Sequence, residues 1–372
     1  MASPAPDPAS ISPAPAAPVP RAPAADTHRA FLDKKFFGSL DGLRALSIVG
    51  VVWHHSARAA ALPLAEEGAM GVPLFFAISG FLITTLLLRE RDRRGTFSLV
   101  NFYARRSLRI FPLYYTVLAA YVAMVVLFER DPAERAEFLH NLGYYATYTS
   151  NWFVHLDGRV IFYFAWSLAT EEQFYLFWPW VEMLLTRHRP VLIALGLLAA
   201  WWAAETYLPA VPGSFLRTVL TSMAPAILTG VVLAHALHDA RGYAALRPLL
   251  RVRMASPGLL ALVVGLLMMR VSPLLSALAM TLLVGACVVR EDHALAGLLR
   301  SRPVASIGQV SYGIYLMHML VLNFVERCAR TLHVESRAAI FVATLLAAWG
   351  VAVLSFRLYE SRFLALKGRF AD

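Results

Sequence analysis

The chain has almost no cysteine, little charge and no run of alternating polar and apolar residues. Cys287 and Cys328 are the only two cysteines in 372 residues. Both lie in or at the edge of apolar stretches without metal-ligand spacing, so neither a disulfide framework nor a zinc site has support. Charged residues make up 16% of the chain against 58% hydrophobic, with a mean hydropathy of +0.58. That balance is too apolar for a soluble domain of this length. The missing strand alternation argues against a membrane barrel, and no inverted repeat of the transporter kind is visible. The opening thirty residues, "MASPAPDPASISPAPAAPVPRAPAADTHRA", contain no apolar core, so they are not a signal peptide. Residues 1–36 read as a disordered, Pro/Ala-rich cytoplasmic tail that can bury almost nothing, and residues 37–372 as the membrane domain.

Long apolar stretches are what the chain does have, and they recur at the length of a membrane helix. The expected fold class is all-α, a polytopic integral membrane protein of ten helices. They are placed at 40–60, 70–88, 110–128, 161–185, 190–207, 218–237, 255–269, 273–289, 304–325 and 338–356. A net charge of +10 raises the question of nucleic acid. The basic residues, however, sit in short clusters between apolar spans, so the partner they indicate is the lipid bilayer and not a nucleic acid. With the N-terminus cytoplasmic, 25 of the 34 Lys and Arg fall on the inner side, which favours an N-in, C-in topology in the cytoplasmic (inner) membrane. The longest outer loop, 129–160, is net acidic and rich in aromatics ("NLGYYATYTSNW"). It reads equally as a sugar-facing loop or as interfacial anchoring.

Ionisable residues inside the expected spans need an explanation. In "LDGLRALSIVGVVWHHS" Arg44 and His55 are eleven residues apart, which at about 100° per residue brings them to one helix face, His55 lying about 16 Å further along the axis. His54 points about 100° away. A histidine at that depth reads as functional or as a structural hydrogen-bonding group, and spacing alone does not decide. "FAWSLATEEQFYLFWPW" places Ser167, Glu171, Tyr175 and Trp178 on one stripe and Glu172 to its side. These carboxylates suit either an interhelical bridge or the support of a catalytic histidine. "SYGIYLMH" aligns Ser311, Tyr315 and His318, where mutual hydrogen bonding between helices is the plainer reading. Seven arginines crowd "RERDRRGTFSLVNFYARRSLRIFPLYY". Topology and anionic lipid explain much of this, but the pair Arg106 and Arg109 also suits a phosphate-bearing ligand.

Taken in order, "LDGLRAL…HH", "GVPLFFAISGFLIT", "RRSLRIFPLYY", "WSLATEEQFYLFWP" and "SYGIYLMH" resemble the membrane acyltransferase family 3, over about residues 37–362. The resemblance implies an integral membrane O-acyltransferase that uses acyl-CoA, commonly acetyl-CoA, as donor and no metal. It maps the family's Arg–His pair onto Arg44 and His55, its arginine pair onto Arg106 and Arg109, its acidic position onto Glu171 and its late histidine onto His318. By the same resemblance His55 and Glu171 carry catalysis and Arg44, Arg106 and Arg109 hold the donor. Glu172, Trp166, Ser167, Tyr175, Ser311, Tyr315 and His318 then serve as substrate or supporting residues. Pro73 stands where many relatives have an acidic residue, and "YESRFLALK" has Ser361 and Arg362 where relatives often place a basic residue before proline. The esterase-like domain that some members carry is not in the sequence, which implies completion of transfer in the membrane domain or on a separate extracytoplasmic partner.

The expected acceptor is a hydroxyl of a carbohydrate, such as a cell-surface or lipid-linked glycan, with a small secondary metabolite as the alternative. A proton-coupled transporter is the competing class, distinguished by moving an intact solute without chemical change.

Overall fold

The computed structural model describes residues 24–57, 64–156, 159–185, 189–208 and 214–370. All the regular structure among them is helical. In chain order the helices are α1 Ala24–Leu32, α2 Gly38–Ala57, α3 Gly71–Arg94, α4 Leu99–Phe128, α5 Pro132–Ala146 and α6 Ser150–Phe153. Then come α7 Ala165–Leu184, α8 Arg189–Tyr207, α9 Phe215–Ser222, α10 Pro225–His238, α11 Ala240–Leu250 and α12 Ala255–Met268. The remainder are α13 Pro273–Val289, α14 Ala296–Leu299, α15 Arg302–Gln309, α16 Ser311–Thr331, α17 Arg337–Ser355 and, after a π-helical turn at Phe356–Glu360, α18 Ser361–Ala365.

Each of the ten expected spans overlaps helix, although 58–60 of the first lie outside the described residues and 218–237 and 304–325 each cross a break between two helices; length and composition divide them further. Among the described residues, four helical runs are long and apolar enough to cross a membrane: Glu67–Arg94, Leu99–Phe128, Arg189–Tyr207 and Arg337–Phe370. Three more qualify only as bent pairs: α9 with α10 at 44°, α11 with α12 at 81°, and α15 with α16 at 78°. The expected span 304–325 is therefore not one straight helix. Its first part, α15, turns aside to lie against α2, where a Cβ on Gly308 would come within 1.8 Å of the Asp41 carbonyl oxygen. Only glycine allows that approach. At about 45 Å, α4 exceeds the roughly 30 Å hydrocarbon layer, so its arginine-bearing first turns extend beyond the apolar slab.

The helices that hold most of the polar motifs, α2 and α7, are not among the four. Enclosure compensates for their polarity. α2 packs against α3, α13, α15, α16 and α17, and Leu43, Ile48, Val51 and Val52 on it are essentially inaccessible. By contrast α8 and α17, each only 22% buried over their most apolar windows, present leucine and valine outward. A bilayer demands this inversion, polar groups inside and apolar ones toward lipid.

One expectation is corrected at the N-terminus. Disorder was expected through residue 36, but Ala24–Leu32 is helical. Phe31 is 2% exposed, packs near Phe37 and Tyr243, and its carbonyl accepts from Arg89 Nη2 at 2.8 Å. The Pro/Ala composition that argues for disorder gives out before this short run of large apolar residues, which find a surface on α3 and α11. Residues 1–23 lie outside the described residues.

A second close approach joins α3 and α10. A Cβ on Gly80 would sit 2.0 Å from the Ile227 carbonyl oxygen, and one on Gly230 would sit 2.4 Å from that of Ala77. Small residues facing each other let two backbones approach, the usual device for joining membrane helices. Gly80→Val is expected to cost about 1–3 kcal/mol by overpacking, read as a lowered thermal midpoint of the purified protein in detergent. Gly196→Val, with nothing within 4 Å of the added Cβ, should stay within about 0.5 kcal/mol of wild type.

Candidate active site

Two groups of polar residues occupy different depths of the bundle. The first surrounds a cavity of about 320 Å³. Arg44 from α2, Arg106 and Arg109 from α4, and Lys367 from the C-terminal segment give it four cations, while Glu171 and Glu172 from α7 give it two carboxylates. Ser79, Ser167, Tyr175, Ser311, Tyr312 and Tyr315 complete the polar lining; Val72, Phe75, Phe76, Leu82, Ile110 and Leu168 form the apolar walls. The mix of apolar walls with convergent polar groups is that of a ligand site.

The cations differ in how they are held. Arg44 Nη1 donates to Asp41 Oδ1 at 2.9 Å, one turn earlier on α2. Arg106 lies over the Tyr175 ring, 4.3 Å from its centroid, a cation–π contact that fixes the guanidinium without neutralising it. Arg109 Nη2 donates to the Gln309 carbonyl at 3.3 Å. The neighbouring Arg105 faces away, ion-paired with Glu90 at 3.1 Å. Among the described residues, no carboxylate lies within ion-pair distance of Arg106, Arg109 or Lys367.

Glu171 accepts hydrogen bonds from the hydroxyls of Ser79 and Tyr175, and Tyr175 Oη lies 3.1 Å from Ser79 Oγ. The Glu171 carboxylate is thus bonded to α3 and to its own helix at the cavity wall, and not to His55. Ser79 went unnoticed in the sequence because a serine beside Gly80 in an apolar run reads as a packing residue. Lys367 went unnoticed because a lysine after the last span reads as topology. Trp166 is 36% exposed and packs edge-on to Phe76 outside the cavity lining.

The second group is the histidine pair. His318, fully buried on α16, has Nδ1 2.6 Å from the carbonyl oxygen of Tyr315 and Nε2 2.8 Å from His55 Nδ1. A carbonyl can only accept, so Nδ1 of His318 carries the proton. In the neutral ring its Nε2 is then an acceptor and takes the proton of His55 Nδ1, leaving the lone pair of His55 on Nε2. The backbone thus sets the tautomer of both rings. Tyr163 packs edge-on to His55 at 5.6 Å. His54, pointing elsewhere, donates from Nδ1 to the Ala65 carbonyl at 2.8 Å.

Sequence spacing predicts one channel lined by both Arg44 and His55. The geometry differs, because His55 and His318 do not line the cavity. Ser167 and Tyr315 stand between, their hydroxyls 2.5 Å apart, and the Tyr315 ring lies 5.6 Å from that of His318. Tyr315 thus borders the cavity on one side and the histidines on the other.

Comparison with known proteins now decides the family. The profile described as an acyltransferase domain, acyltransferase family 3, matches residues 37–357. The chain belongs to this family. It is 28% identical over 363 residues to the peptidoglycan O-acetyltransferase OatA of Listeria monocytogenes, covering 88% of this chain and 56% of that protein. It is 29% identical over 317 residues to the "Putative peptidoglycan O-acetyltransferase YrhL" of Bacillus subtilis, covering 77% of this chain and 49% of that protein. The chain spans about half the length of these curated relatives. No solved structure matches it. This member of the acyltransferase family is an integral membrane protein.

The tautomer assignment has a spectroscopic consequence. Solid-state ¹⁵N spectra of histidine-labelled acyltransferase should show Nδ1 of both His55 and His318 protonated and Nε2 of His55 unprotonated. A protonated His55 Nε2 with a bare Nδ1 contradicts it.

Proposed function

We propose that this acyltransferase moves an acyl group, acetyl foremost, from acyl-CoA to a hydroxyl of a cell-surface carbohydrate, working in the cytoplasmic (inner) membrane with N-in, C-in topology and ten membrane segments. The observation that carries the reading is the division of the site along α2. An anion-binding cavity lies at the Arg44 end and a histidine with a directed lone pair lies about 16 Å away at the other. A donor with a phosphate-bearing head and a long thioester arm has the same two-part form.

In this reading Arg44, Arg106 and Arg109 hold the phosphates of the donor, which enters from the cytosolic side. The arm extends toward the histidines past Tyr315, whose hydroxyl must turn from Ser167 to let the acyl group through. His55 Nε2 then takes the proton of the acceptor hydroxyl as its oxygen attacks the thioester carbonyl. The C–S bond breaks, the acyl–oxygen bond forms, and the departing CoA sulfur recovers the proton from His55. His318 and the Tyr315 carbonyl steady the imidazolium between these transfers. A carbohydrate acceptor is favoured over a small secondary metabolite because two of the matching relatives bear the name peptidoglycan O-acetyltransferase.

A variant route has His55 Nε2 attack the thioester carbonyl itself, the C–S bond breaking to release the CoA thiolate, and the acceptor hydroxyl then takes the acyl group from the imidazole as the hydroxyl proton returns to the ring. Label that stays on wild-type protein after acetyl-CoA alone, and that is lost on acidification or with hydroxylamine, distinguishes it from direct transfer.

In purified, reconstituted protein given labelled acetyl-CoA and glycan acceptor, His55→Ala is expected to lower transfer at least about a hundredfold. Retention of the wild-type rate overturns both routes. His318→Ala, which leaves His55 without its tautomer partner, should lower kcat about tenfold or more while the KM for acetyl-CoA changes little. A rise in KM with kcat preserved contradicts the role given to His318.

A further inference from the structure

The C-terminal segment supplies a cation, Lys367, from outside the five motifs that carry the family resemblance. After α17 the chain makes its π-helical turn at Phe356–Glu360, continues through α18 and ends in a short 3-10 helix, Leu366–Phe370. From residue 358 onward this segment lies beyond the region matched by the family profile, residues 37–357. It is nevertheless fastened to α4 along its length. Thr116 Oγ1 is 2.9 Å from Tyr359 Oη, and Arg105 Nη1 donates to the Phe370 carbonyl at 2.7 Å. Between these two fastenings, Lys367 reaches the wall of the cavity already lined by Arg44, Arg106 and Arg109.

Four cations converging on one cavity repel one another, and an arrangement of this kind is sustained by an anion that binds among them. Glu171 and Glu172 share the cavity, so four cations face two carboxylates there, and among the described residues Arg44 alone of the four has a carboxylate at ion-pair distance, Asp41. Arg106 is stacked on Tyr175 and Arg109 is held by a backbone carbonyl, which orients both guanidinium groups while leaving their charge for a ligand. Lysine differs from these in kind: its ammonium is a compact point charge on a flexible stem, suited to a phosphate whose position varies, where arginine favours fixed bidentate geometry.

We propose that Lys367 is a donor-binding residue that contacts a phosphate of acyl-CoA, delivered to the cavity by a C-terminal strap that Arg105 fastens to α4. The inference rests on the donor assignment made under Proposed function and adds to it a residue from outside the family's matched region. The strap makes the cavity depend on residues 361–370, so the donor site is assembled from α2, α4 and the chain's last described turn.

The test compares two donors on the full-length protein in nanodiscs: acetyl-CoA, and acetylpantetheine, which has the same thioester arm without phosphate. Lys367→Ala is expected to raise the KM for acetyl-CoA about tenfold, the loss of one charge-assisted contact, and to move the KM for acetylpantetheine less than about twofold. Lys367→Arg, which keeps the charge, should recover most of the loss for acetyl-CoA. Equal KM values in wild type and Lys367→Ala, or an equal rise with both donors, overturn the assignment. So does a rise found only in nanodiscs of anionic lipid, since it places the lysine on a headgroup phosphate. Failure of the donor assignment itself is separate and appears in wild type alone, as acetyl-CoA turned over no better than acetylpantetheine.

Discussion

The hydrogen bond from His318 Nδ1 to the carbonyl of Tyr315, 2.6 Å long, is the contact on which the site depends. It lies within one turn of α16, where a backbone acceptor is fixed by the helix itself, and it leaves His318 a single free nitrogen for His55. A proton-accepting lone pair is thereby placed on another helix, α2, by a group that cannot titrate. The pairing requires α2 and α16 to stay in register, which the close packing of α15 on α2 through Gly308 secures at the base of α16. The bend between α15 and α16 is the device that lets one chain segment hold α2 from its side and face it with His318.

Burying so many polar groups in a membrane protein is costly unless each has a partner or a ligand. In the histidine group every polar atom but one is partnered, and the exception is His55 Nε2. In the cavity, among the described residues, Arg106, Arg109 and Lys367 have no carboxylate at ion-pair distance. These two sets of unmet demand, a base at one depth and positive charge at another, are the chemical signature of the enzyme. Tyr315 and Ser167 separate them with a bond between two hydroxyls, a barrier that a hydroxyl of the substrate is chemically able to replace.

Much of this was legible in the residues, and the failures have physical causes. Period and depth sorted His55 from His54, because one helix rotation of about 100° separates a ring facing α16 from one facing the Ala65 loop. Position of the apolar runs located helix at each expected span, but not α5 within the expected outer loop, nor the bends at α9–α10 and α15–α16, which leave no trace in hydropathy. Helical spacing put Ser167, Glu171 and Tyr175 on one stripe, yet it is silent about which neighbour the stripe meets. That is why spacing leaves open whether Glu171 meets another helix or a histidine, where the structure puts Ser79 of α3 against it. Lys367 and the strap were out of reach for the same reason: only tertiary contact distinguishes a cation that fills a cavity from one that marks the cytoplasmic side.

The central claim is that donor head and reacting base occupy opposite ends of one path along α2. The structure of the reconstituted protein bound to a non-hydrolysable acetyl-CoA analogue tests it most directly. The account predicts phosphate density among Arg44, Arg106 and Arg109, with the thioester mimic beyond a displaced Tyr315 side chain and within hydrogen-bonding reach of a hydroxyl that also meets His55 Nε2. Phosphates bound elsewhere, or an acyl mimic that remains on the Glu171 side of an intact Ser167–Tyr315 bond, contradict it.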